Sequence, residues 1–107
     1  MKTIFKIKIN EVGPLLEGLG LNGPWKSLSF LATIIDDDDE TAEPQTLLIR
    51  ARGRLATCLN FLNEGNQLDG IFLVAVRFHV HKYLGSDNKD HIVNDLVCQH
   101  FEKWEEF

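Results

Sequence analysis

Residues 2–9, "KTIFKIKI", alternate between two faces, with Phe5, Ile7 and Ile9 on one and Lys2, Lys6 and Lys8 on the other. A period of two is the signature of a half-buried strand. Residues 11–24, "EVGPLLEGLGLNGP", are dense in Gly and Pro and predict a long loop with at most one turn of helix. Alternation returns over residues 25–35, where Leu28, Phe30, Ala32 and Ile34 oppose Ser27, Ser29 and Thr33. The acidic run 36–43, "DDDDETAE", ends that second strand, because adjacent aspartates repel and suit strands poorly. Residues 45–52 form a third strand, with Leu47, Ile49 and Ala51 on one side and Arg50 and Arg52 on the other.

Gly53 ends the third strand, and the period changes after it. Leu55, Cys58, Leu59 and Leu62 recur at three- and four-residue spacing, the apolar face of a helix of about three turns. Gly65 is placed to close that helix in the left-handed conformation. A long strand follows over residues 71–83. Its even positions, Phe72, Val74, Val76, Phe78 and Val80, are all apolar. Its odd positions change from Ile71, Leu73 and Ala75 to Arg77, His79, His81 and Tyr83. A polar turn at 84–90 leads to a last, weaker strand over 91–102. Five strands with one short helix between strands 3 and 4 is the chain order of an OB-fold, an all-β, five-stranded Greek-key barrel. The 107 residues make one domain, 1–107, and 44% apolar with 25% charged residues is ordinary globular composition. In such a barrel the first strand pairs with the second and the fourth. Inward apolar faces then turn Lys6, Lys8, Arg50, Arg52 and Arg77 outward.

Charge changes this picture once it is mapped. The net charge is −5, but six of the sixteen acids lie in the 36–43 loop and three more in the tail, 102–107. The remainder carries seven acids against ten bases, about +3. The acidic loop could also fold over the basic face and compete with an anionic ligand. No apolar run approaches the ~18 residues of a membrane span, and the alternating N-terminus lacks the apolar block of a signal peptide. The expectation is a cytoplasmic protein, with Cys58 and Cys98 as reduced core thiols.

Candidate chemistry is sparse. "DDDDET" lacks the spaced ligands and turn glycine of a calcium loop. His79 and His81 share a strand face, but no third metal ligand is placed by the sequence, so no metal or other cofactor is expected. "GLGLNG", 18–23, matches G-x-G-x-x-G literally, yet no helix follows and no βαβ unit surrounds it, so the match is discarded. No nucleophile–base arrangement can be argued, and nothing points to an enzyme.

The stretch "LLIRARGRLATCLNFLNEGNQLDGIFLVAV" resembles the strand–Gly–helix–Gly–strand segment of bacterial single-stranded DNA-binding (SSB) proteins. "GPWKSLSFLATI" sits where that family's second strand would be, and "HIVNDLVCQHFEKWE" is similar to its fifth. The resemblance spans residues 23–105 and includes the small primosomal relatives. It implies a homodimer or homotetramer, often through paired first strands, and binding by aromatic stacking in a basic groove. The chain departs from the family where Thr46 and Arg52 occupy third-strand positions of stacking aromatics; only Tyr83 falls near a family aromatic. The acidic "WEEF" end resembles the acidic tip through which SSB proteins recruit replication partners, against a simpler reading as a frayed strand end.

The expected function is sequence-independent binding of single-stranded DNA, with RNA as the second candidate, in replication, repair or recombination. The expected site is Lys6, Lys8, Trp25, Lys26, Arg50, Arg52, Arg54, Arg77, His79, His81 and Tyr83. The rival expectation is a protein–protein interaction module that keeps the barrel and has lost the stacking groove.

Overall fold

A computed structural model describes residues 2–35 and 43–104, without the side chains of His81, Val93 and Asn94. The expected loop 36–43 and tail 102–107 therefore lie largely outside the described residues. The elements are β1 (Lys2–Val12), β2 (Leu16–Gly20), β3 (Gly23–Ile34), β4 (Thr46–Arg52), α1 (Arg54–Glu64), β5 (Ile71–Leu84) and β6 (Asp90–Lys103). The sheet runs β1-β5-β6-β4-β3-β2, and a β1–β3 pairing closes five of its strands into a ring. That is the OB barrel with its single helix between the third and fourth barrel strands. As expected, β1 pairs with both β3 and β5.

Alternation builds the core. Ile7, Leu28, Phe30, Ala32, Ile49, Ala51, Phe72, Val74 and Val76 all point inward and are buried. Across β3 and β4 small residues meet large ones at Leu28 opposite Ala51 and Ala32 opposite Leu47, which lets the facing layers interdigitate. Fully burying each large side chain contributes about 1.5–3 kcal/mol. The helix lays Ala56 and Leu59 on this core. Closing so small a ring requires sharp coiling, and two bulges supply it: Asn10 is an extra residue opposite β3, and a second irregularity falls on β6 opposite Ala75 and Val76.

Four expectations change. The 11–24 loop contains a strand, β2, which forms a hairpin with β3 through the two residues Leu21 and Asn22. Its Gly and Pro content reflects a tight turn and a packing seat for Trp25, described below, rather than irregular structure. Gly65 is not left-handed, with φ −87°; Asn66 takes that role at φ 54°. The bonds Asn66 N–H to Asn63 O and Gln67 N–H to Leu62 O complete a Schellman motif one residue later than expected. Cys58 is exposed while Cys98 is buried, because Ala56 rather than Cys58 completes the inward helix face. Finally, β5 and β6 outrun the barrel. The buried column Phe72, Val74, Val76 continues as Phe78 and Val80, which are 57% and 60% exposed. Beyond Val76 the two strands form a protruding ribbon, and the molecule measures 50 by 32 by 23 Å.

Candidate nucleic-acid interface

The β2–β3 hairpin holds Trp25 at the middle of its paired length. Gly18 lies directly opposite Trp25, and a Cβ at Gly18 would come within 2.5 Å of the indole. The ring therefore rests against bare backbone on one side and is 47% exposed overall. An aromatic face so fixed is ready for stacking without ordering a mobile side chain, which preserves affinity.

Strand pairing then brings cations to the same place. Ser27 on β3 opposes Arg52 on β4, and Ser29 opposes Arg50. Leu16, Trp25, Lys26, Ser27, Arg50 and Arg52 line one groove of about 490 Å3. Three cations and an indole share it, with no acid in the lining. The nearest acids sit at its margins. Glu17 meets Lys26 at 3.6 Å, both exposed, a pairing that contributes little. Asp95 of β6 accepts a bond from Arg50 Nη1 at 3.2 Å and is only 17% exposed. This half-buried pair holds the Arg50 guanidinium in place on the outer wall.

Arg54 lies one step further along. Gly53 N–H donates to Lys26 O at 3.1 Å, so the helix start is stitched to β3 beside the groove. Gly53 has φ 60°, a left-handed conformation that favours glycine, and it offers no side chain to cap the helix. The first turn holds no acid. Arg52 and Arg54 thus flank the positive end of α1, an arrangement that is unfavourable until an anion is present.

The remaining expected residues fall in two places. Arg77, His79, His81 and Tyr83 follow one another on β5, and Asp95, opposite His79, links that row to Arg50. Near the ribbon tip the Tyr83 ring stacks on His91 at 5.2 Å between centroids. His91 Nε2 in turn lies 3.1 Å from Asp87 Oδ1 and draws the Asp87 carboxyl below its ordinary pKa of 3.8. Lys6 and Lys8 stand apart on β1. They are separated from β4 by β3 one way round the ring and by β5 and β6 the other. Lys6 is half-buried, with its Nζ 4.9 Å above the Trp104 ring, rather than fully outward. Among the described residues no group of three His, Cys, Asp or Glu side chains is arranged to hold a metal, and no helix is long and apolar enough to cross a membrane.

Sequence reasoning missed Gly18, Asp95 and Phe61. The Gly18 signal is legible as a Gly-x-Gly opposite a Trp across a hairpin. Phe61 is legible as the last member of a second helix stripe, Arg54, Thr57, Cys58, Phe61. Asp95 carries no local signal, because its partner is 45 residues away.

No protein-family model matches the sequence, and no curated protein matches it. Solved structures do share its fold. The mitochondrial single-stranded DNA-binding protein of S. cerevisiae aligns over 100% of this chain and 98% of its own, with TM-score 0.60 and 13% identity. The Plasmodium falciparum SSB, solved with single-stranded DNA, aligns over 94% and 90% with TM-score 0.52 and 10% identity. A small single-stranded DNA-binding protein of Mycoplasma pneumoniae covers 99% and 95%, with TM-score 0.50 and 9% identity. At these identities the shared property is the OB fold, spanning 90% or more of each partner.

Proposed function

We propose that this chain binds single-stranded nucleic acid, single-stranded DNA foremost, without sequence preference. The observation that carries the reading is the groove in which a pre-seated, half-exposed indole meets Lys26, Arg50 and Arg52. Backbone-tracking cations beside a stacking aromatic are what sequence-independent single-strand binding requires. The Arg77, His79, His81 and Tyr83 row and the Tyr83–His91 stack extend the path along the ribbon, while Lys6 and Lys8 serve a separate part of the surface. Arg52, at a position where an aromatic was expected, shifts the balance from stacking to phosphate contact, which makes binding strongly salt-dependent. The protein acts by binding and not by catalysis, in DNA replication, repair or recombination. Its two free cysteines suit a cytoplasmic setting. It assembles as a homodimer or homotetramer: among the described residues, positions 2–5 of β1 pair with β5 alone. An open edge is a template for a second copy.

The test is fluorescence anisotropy of labelled oligo-dT at low and moderate salt, for wild type and Arg50→Ala/Arg52→Ala. Salt-sensitive binding that the double variant weakens supports the reading. No binding at low salt overturns it, and binding that the double variant leaves intact overturns the site. The second reading, a protein-interaction module, is favoured by one observation: Phe78, Val80, Leu84 and Ile92 are all exposed on the ribbon. Retained folding with no oligonucleotide binding, together with loss of self-association in Phe78→Ser, would favour that reading.

A further inference from the structure

We infer that the nucleic-acid path continues from β4 onto the helix, where Phe61 forms a second base-stacking subsite with Lys26 and Arg54 as its phosphate clamps. The inference rests on the proposed single-strand binding and extends it along the helix to Phe61, which the sequence reading left unassigned. Arg54, Thr57, Cys58 and Phe61 are spaced i, i+3, i+4, i+7, so they form one stripe of α1. That stripe is distinct from the buried face carrying Ala56 and Leu59. With Lys26 and Gly53 it lines a groove of about 690 Å3, within the ~300–1,000 Å3 range of small-molecule sites.

Three observations select the occupant. Phe61 is 69% exposed, a large apolar ring that the fold leaves uncovered. The groove rim carries two cations, Lys26 and Arg54, and its lining holds no acid, which suits an anionic ligand with an apolar part. Lys26 lines both this groove and the one holding Trp25, so the two adjoin at that residue. A single strand crossing Lys26 would meet one aromatic on each side of a shared phosphate contact. Stacking tolerates any base, because every base has a π-face.

The groove also contains its own reporter. Cys58 is exposed on its wall. Cys98 is buried, and burial pushes its thiol pKa up to about 11, so it stays unreactive in the folded protein. The experiment measures the alkylation rate of Cys58 in the full chain, with and without saturating oligo-dT. An oligonucleotide of about 16 nucleotides reaches the upper end of what one OB barrel engages. Oligo-dT affinity is measured in parallel for wild type, Phe61→Ala and Phe61→Tyr. The expected result is at least about tenfold slower alkylation of Cys58 with DNA bound. Phe61→Ala should weaken affinity by about fivefold or more, the lower end for one lost stack, and Phe61→Tyr should restore it. Both readouts are required. Binding that depends on Trp25 but leaves Cys58 unprotected, or Phe61→Ala at wild-type affinity, overturns this inference and leaves the proposed function standing. Equal protection by polyglutamate overturns it too, marking a simple anion site. Absence of oligo-dT binding overturns both.

Discussion

Gly18→Ala isolates the stacking contribution without touching Trp25 itself. An alanine Cβ at Gly18 would lie 2.5 Å from Cζ2, 2.6 Å from Cε2 and 2.8 Å from Nε1 of the Trp25 indole. Ordinary contact begins near 3.4 Å, so the ring must retreat by about 1 Å or rotate off its seat. A stacked base contributes about 1–3 kcal/mol, which is roughly 5- to 150-fold in affinity. The displaced ring should lose much of that, with Trp25→Ala as the upper bound. Stability should barely change, because replacing a strand glycine by alanine recovers ~0.5–1 kcal/mol, which offsets the lost packing of a ring already half in solvent. Gly20 provides the matched control, since a Cβ there would meet Trp25 Cδ1 at an ordinary 3.5 Å. The assay is oligo-dT anisotropy with thermal melting of the same three variants. Gly18→Ala should bind several-fold more weakly at an unchanged melting temperature, and Gly20→Ala should behave as wild type. Gly18→Ala binding as tightly as Gly20→Ala, or a large fall in melting temperature, would refute the argument.

Two further predictions concern charge and protonation. Arg54→Glu replaces a cation with an acid in the first turn of α1, where each unit of favourable charge contributes about 0.3–1 kcal/mol. It should raise the melting temperature by several degrees while weakening oligo-dT binding; parallel loss of both would show that Arg54 is structural. At the ribbon tip, Lys89 N–H donates to Asp87 Oδ1 at 3.0 Å. The Asp87 carboxyl is depressed mainly by His91, so its contribution is present above its unfolded value and is lost as pH falls through the lower folded one. An NMR titration should show the Lys89 amide shifting below pH 3.8, and a midpoint at or above 3.8 would contradict the His91 contact.

Legibility followed the physics of each element. Alternation in residues 2–9, 25–35 and 45–52 and the three–four spacing after Arg54 were enough for the barrel and its helix, because each pattern is local and each face meets one core. The β2 strand was hidden by glycines whose purpose is nonlocal: Gly18 is small because Trp25 lies against it across the hairpin. The apolar column of β5 marked a strand but not where the barrel stops, since Phe78 and Val76 look alike until closure leaves one outside. In the site, Trp25, Lys26, Arg50 and Arg52 were legible and do share a groove. Lys6 and Lys8 were grouped with them by charge and by an outward-facing strand position, and ring order puts them elsewhere. Phe61 was not legible as a site residue because it falls outside the apolar repeat of Leu55, Cys58, Leu59 and Leu62.

The central claim is that Lys26, Arg50, Arg52 and Arg54 track a phosphate backbone along the β3–β4–α1 surface. It is tested by the salt dependence of oligo-dT affinity in wild type and Lys26→Ala/Arg52→Ala, both of which replace exposed side chains. Each neutralised phosphate contributes about −0.7 to the slope of log K against log salt for a single strand. Four contacts therefore predict a slope near −2.8, and the double variant one near −1.4. A wild-type slope near zero, or an unchanged slope in the double variant, would contradict the account.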